Sequence, residues 1–175
     1  MALQQIDVRH ERRGDEAAVR LVNDLAFAQF DESRIVDAVR AAAKVAVSLV
    51  ATHRQDIVGH ILFTPVTLDD PGRRVSIVGL GPIAVAPQHQ RSGVGTLLIR
   101  AGLAECASRG AVAVVVVGHP SYYPRFGFQP ASRFGLRCEY DVPDDVFMLA
   151  ELAPGALRGV SGLIRYDAAF GGAGH

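Results

Sequence analysis

Apolar and polar residues alternate at Ile6-Asp7-Val8-Arg9, the two-residue period of a half-buried strand. From Gly14-Asp15 the period lengthens, and Ala18, Leu21, Val22 and Leu25 fall at the spacing that predicts one apolar helix face. Asp31-Glu32-Ser33 opens a second predicted helix carrying Ile35, Val36 and Val39, with its acids at the positive end of the helix dipole. Two strand-like runs, 44–52 and 57–66, flank the polar residues His53-Arg54-Gln55-Asp56, which read as a hairpin turn. A turn at Asp69-Asp70-Pro71-Gly72 leads into a further strand, 75–85. Gly79, Gly81 and Pro82 interrupt that strand, so it is either a kinked edge strand or a strand held away from its neighbour to leave a ligand slot. A third helix follows, with Val94, Leu97, Leu98 and Ala101 on one face. The apolar run 112–117 predicts a strand buried on both faces. Residues 119–128 read as loop with a short helix, and strand-like runs recur at 134–140, 147–152 and 163–166 before a glycine-rich, frayed tail at 171–175. The order β-α-α-β-β-β-α-β-α followed by strands predicts an α/β (α+β) fold on a mixed sheet.

Composition narrows the possibilities. A chain of 175 residues with no internal repeat fits one domain, 1–175, large enough for its own core. Its 18 basic residues cancel its 18 acidic ones, which argues against nucleic acid as the main partner. The N-terminus is charged too early to be a signal peptide, and the apolar stretch 111–117 is too short to cross a membrane, so a cytoplasmic protein is expected. Cys106 and Cys138 share no CxxC spacing and read as reduced thiols, with a single disulfide left open. The six histidines show no ligand spacing, so no metal is expected.

The segment that carries chemistry is 81–95, GPIAVAPQHQRSGVG. A strand ends, a loop turns, and a glycine-rich stretch enters a helix whose first N–H groups and dipole favour an anion. A Walker A loop requires GK[ST] and is absent. A dinucleotide fingerprint requires GxGxxG near the first strand, whereas this segment is central and reads QxxGxG.

With Gln90, Gly93 and Gly95 in a [QR]xxGx[GA] pattern after a hydrophobic strand, and Tyr123 to Phe128 in a YxxxGF pattern, the sequence resembles the GCN5-related N-acetyltransferase (GNAT) family. That resemblance implies a twisted, mostly antiparallel sheet flanked by helices, with a splayed central strand pair. It implies acetyl-CoA as co-substrate, its pyrophosphate on the loop of Gln90, Arg91, Ser92, Gly93, Val94, Gly95 and Thr96. The pantetheine arm would pair with the splayed strand at Ile83, Ala84 and Val85. The acceptor would be a primary amine, on a small molecule or a peptide, attacking the thioester directly through a tetrahedral intermediate. Tyr123 is the implied general acid, with Tyr122 out of register beside it, while Phe126 and Phe128 pack. Many relatives carry a glutamate on the bulged strand, but 76–85 holds no acid. His60, His119 and Glu139 are the remaining candidates for deprotonation, and His119 is the preferred one. Asp24, Asp31 and Glu32 lie at the implied acceptor rim, where capping and solvation also account for them. Cys138 as an acetyl-carrying nucleophile lacks an activating neighbour in sequence, and Cys106 reads as core. A homodimer through the C-terminal strands is expected from the family. The competing reading is a catalytically weak acyl-CoA-binding sensor or interaction module.

Overall fold

The structure, a computed structural model, describes residues 5–70, 72 and 74–171. The first four residues, Pro71 of the predicted turn and the tail beyond Gly171 lie outside the described residues. Two compact units form, Met1–Phe63 with Gly81–Gly102, and Thr64–Leu80 with Leu103–His175.

In the first unit β1 (Ile6–His10) pairs antiparallel with β2 (Val47–His53), which pairs antiparallel with β3 (Asp56–Pro65). The β2–β3 turn is closed by Arg54 and Gln55 at φ of 49° and 74°, the handedness that a two-residue hairpin requires. Helix α1 (Glu16–Phe27) forms where predicted, but its face is rotated. Val19, Val22 and Asn23 are buried, whereas Leu21 and Leu25 of the predicted stripe are 58% and 49% exposed. Asn23 turns inward because its amide has partners there, and two leucines are left in solvent. Helix α2 (Asp31–Ala41) buries Ile35, Val36 and Val39 as its spacing demands.

The second unit contains β4 (Thr67–Asp69) and the first residues of β5 (Ile77–Val85), a strand whose remainder lies in the first unit. Helix α3 (Val94–Ser108) likewise begins in the first unit and ends in the second. Then come β6 (Ala113–Val117), β7 (Gln129–Pro130), β8 (Leu136–Cys138), β9 (Phe147–Glu151) and β10 (Gly162–Arg165). β9 runs antiparallel to β6 on one side and to β7 on the other, while β10 joins β4 to β8 in a separate small sheet. Ile77, Val115, Leu136, Phe147, Leu149 and Ile164 form the centre of its core. The predicted strand 134–140 shrinks to three residues because a 3-10 turn, Ala131–Phe134, ends at a left-handed Gly135. β4 and β7 are three and two residues long, too short to show a period in sequence.

β5 is not an edge strand. It pairs parallel with β6, Ile77↔Ala113 to Gly79↔Val115, and that ladder stops there although both strands continue. Its other side follows β3: Val66 N–H donates to Ile77 O at 3.1 Å, and Ala86 N–H donates to Val58 O at 2.8 Å. The β5–β6 ladder therefore ends at Gly79, where glycine and proline begin to interrupt the strand. Among the described residues no helix is long and apolar enough to cross a membrane.

Candidate active site

The first unit carries the loop. After β5 a 3-10 turn, Pro87–His89, leads to Gln90, whose side-chain amide donates back to Val85 O at 2.9 Å and so clamps the loop to the strand end. Ser92 Oγ donates to His89 O. Arg91 and Gly93 hold φ of 60° and 92°, so left-handed residues alternate along the loop in the pattern of an anion-binding nest. Glycine adopts this conformation freely, while Arg91 does so against its preference. Helix α3 then begins at Val94, and its first N–H groups have no acceptor inside the helix. Val94 and Leu98 are buried against β3 at Gly59, where a Cβ would lie 3.1 and 3.0 Å from them. The helix start is thus seated on the sheet, and the exposed Arg91 and Ser92 precede it. Along β5, Ala84 packs with Val22 and Ala86 under α1, while Ile83 and Val85 are half-buried.

The second unit carries the tyrosine. His119 is exposed, and its carbonyl accepts from the N–H groups of Tyr122 and Tyr123 at 3.1 and 3.4 Å, starting the turn Tyr123–Phe126. Tyr123 is 7% exposed and meets Phe128 edge-on at 5.5 Å. Its ring lies so close to Gly118 that a Cβ there would sit 2.3 Å from Cε2, so this position admits only glycine. Burial, with a smaller contribution from Tyr122, pushes the Tyr123 phenol up to about 12 and keeps it protonated. Tyr122 instead lies beneath the Arg125 guanidinium, 4.6 Å from its ring centre.

The sequence candidates for a base are placed differently. His60 is fully buried, and burial followed by repulsion from Arg40 depresses it to about 3, so it is neutral. Its Nδ1 faces the Asn23 amide at 3.2 Å and its Nε2 faces Ser48 Oγ at 2.9 Å. Ser48 donates to Glu11, which also accepts from Arg40. Because the Asn23 amide N–H can only donate, His60 accepts at Nδ1 and donates from Nε2 to Ser48. This buried chain leaves His60 no free nitrogen for catalysis. Glu139 accepts the Tyr166 N–H at 2.7 Å and is likewise occupied. Glu32 accepts from Gln29, and Asp31 opens α2. Asp24 keeps one buried oxygen without a partner among the described residues. Both cysteines are free, and burial raises both thiols, Cys106 to about 12, so neither is an activated thiolate. Sequence reasoning missed Glu11, Arg40, Ser48 and Asn23. The one available signal was Asn23 falling on the helix face shared by Val19 and Val22.

A strand whose pairing with its neighbour stops short, a turn with left-handed residues leading into a helix, and a buried tyrosine turn are features of one class. Residues 7–131 match the family model of the acetyltransferase (GNAT) domain, and the chain belongs to that family of N-acetyltransferases. It is 34% identical over 140 residues to the uncharacterized N-acetyltransferase YhbS of Escherichia coli (strain K12), covering 79% of this chain and 83% of that protein. The crystal structure of YhbS from Escherichia coli in complex with CoA superposes with a TM-score of 0.92 at 30% identity, over 97% of this chain and 94% of that one. A GNAT family acetyltransferase from Brucella melitensis, solved in complex with acetyl-CoA, is 35% identical with a TM-score of 0.78, over 94% of this chain and 97% of that one. The mixed α/β fold with its mostly antiparallel sheet is the fold of these proteins. Among the described residues no group of three His, Cys, Asp or Glu side chains is placed to hold a metal ion.

Proposed function

We propose that the chain, acting as one transferase domain, moves an acetyl group from acetyl-CoA to a primary amine by direct attack. The observation that carries this reading is the alternation of left-handed residues at Arg91 and Gly93 immediately before α3, clamped to β5 by Gln90. Such a turn suits the two negative charges of a pyrophosphate: main-chain N–H groups from 91 to 96 and the helix dipole supply the positive potential. The chain holds a donor of this class through main-chain groups, because Val94 is committed to the core and Gly93 and Gly95 have no side chain to offer. The same reading gives Ile83, Ala84 and Val85 the pantetheine arm, since β5 beyond Gly79 has left the β6 ladder. CoA and acetyl-CoA in the similar crystal structures support it.

In the reaction the amine nitrogen attacks the thioester carbonyl, the C–N bond forms, and the tetrahedral adduct collapses with cleavage of the C–S bond. Tyr123 donates its phenolic proton to the departing thiolate and recovers one from solvent. A phenol held near 12 is a weak acid, so its main contribution is a hydrogen bond to sulfur as charge develops. The amine proton passes to solvent through the exposed His119, because His60 is buried and neutral.

A thermal melt with acetyl-CoA tests the donor, with ATP and NAD as controls. Ligand at a hundred times its dissociation constant stabilises the fold by about 2.7 kcal/mol, a shift of several degrees. No acetyl-CoA-specific shift in folded, CoA-free protein overturns the reading. Turnover on an amine panel then tests catalysis, and tight donor binding without turnover of any amine favours the sensor instead.

A further inference from the structure

We infer that Tyr166, outside the segment matched by the family model, is a positioning residue for the donor strand: its ring occupies the space over Gly79 and sets where β5 stops pairing with β6. This rests on the reading of β5 as the strand that receives the pantetheine arm. A Cβ on Gly79 would lie 2.9 Å from Tyr166 Cε1 and 3.2 Å from Val66 Cγ1, so the aromatic ring fills the place that any other residue's side chain would take. Gly79 is also the last β5 residue in register with β6. Val66 holds the same strand from its other side through Ile77 O at 3.1 Å.

Tyr166 is itself firmly held. Its N–H donates to Glu139 at 2.7 Å, its ring stacks on Tyr140 at 5.6 Å and 28°, and Phe170 meets it edge-on at 5.7 Å. The hydroxyl is buried with no hydrogen-bond partner among the described residues. A buried hydroxyl without a partner contributes nothing favourable, so the residue serves here through the shape of its ring. Gly79 and Tyr166 are therefore a matched pair, a missing side chain and the ring that replaces it. On that reading, the stretch from Leu80 to Val85, beyond the last residue paired with β6, is what the pantetheine arm pairs with.

The experiment is calorimetric titration of the full chain with acetyl-CoA and, separately, with adenosine 3′,5′-bisphosphate, which has no pantetheine arm. The proteins are wild type, Tyr166→Ala, Gly79→Ala, the double variant and Tyr166→Phe, each titrated well below its own melting temperature. Tyr166→Ala and Gly79→Ala each weaken acetyl-CoA binding about tenfold. The double variant binds no worse than either single one, because the new methyl group enters the space that the ring vacated. Tyr166→Phe binds like wild type, and no variant changes binding of the bisphosphate. Should Tyr166→Ala fail to fold, Tyr166→Leu replaces it with the same expectation in smaller measure. A residue that merely stabilised the fold would lower the melting temperature and leave both affinities intact, and that result overturns the inference. Additive losses in the double variant, or equal losses for both ligands, overturn it as well. Wild type that fails to bind acetyl-CoA removes the donor reading itself, a distinguishable outcome.

Discussion

The interiors of the two units are built from different materials. In the first, Asn23, Ser33, Ser48, Thr52 and His60 are buried, and Glu11 with Arg40 extends the polar chain towards the surface. In the second, apart from tyrosine hydroxyls and a cysteine thiol, Thr64 is the one buried polar side chain among the described residues, and the interior is an apolar cluster rich in valine, leucine, isoleucine and phenylalanine. An apolar interior is specified mainly by volume and tolerates exchange of one hydrocarbon for another. A hydrogen-bonded interior depends on direction, and each member left unpaired costs its full desolvation. The first unit, which carries the loop, is thus the one whose geometry is least free to drift.

The largest effect follows from stranding a charge. Arg40→Met leaves Glu11, 11% exposed at its side chain, without its cation, and urea unfolding loses about 3 kcal/mol with an unchanged slope. His60→Phe comes next, at about 2 kcal/mol, because Asn23 and Ser48 both lose a partner. This variant also tests pH dependence. His60 is held near 3 in the fold against 6.5 for a free imidazole, so the unfolded chain binds the proton more readily between those values. The stability it contributes is full above pH 6.5 and declines as pH falls towards 3, and a melting-temperature profile flattens over that window in His60→Phe. Leu149→Met in the second unit, at a fully buried site, costs less than about 1.5 kcal/mol because volume is conserved. The smallest change in stability is expected for Tyr123→Phe, within about 0.5 kcal/mol. The same variant slows turnover by about a hundredfold if the phenol acts on the leaving sulfur, measured as free thiol released from acetyl-CoA. A polar interior that shrugged off His60→Phe, or an apolar one that collapsed on Leu149→Met, would erase the contrast.

Much of this was legible in sequence, and the reason differs from element to element. The hairpin of β2 and β3 is visible because two largely apolar, strand-like runs flank four polar residues, and α2 because every apolar residue of its stripe is buried. The divergence of β5 was readable because glycine and proline in a β-branched run have few other uses. The loop was readable for the same reason, since Gly93 marks a left-handed position wherever it falls. The α1 face was misread because helical periodicity treats asparagine as polar, whereas Asn23 is drawn inward by a histidine 37 residues later. His60 was offered as a base because a sequence gives its type and not its burial. The Gly79–Tyr166 pair escaped notice because it joins positions 79 and 166, and no local pattern links a missing side chain to the ring that fills it.

The order of these parts along the chain has a consequence for synthesis. A chain leaving the ribosome N-terminus first exposes Glu11, Asn23, Arg40, Ser48 and His60 before the loop at 90–96, and Tyr166 last of all. Hydrogen bonding in the first unit therefore has all its members before the loop is made, while the ring over Gly79 arrives only after β9 and β10 have been made. A fragment released early, or one cut by a protease between β9 and β10, would keep the turn at 90–96 and lose the ring. On the proposed reading of that turn, such a fragment is expected to lose grip on the acetyl arm of the coenzyme before it loses grip on the nucleotide end.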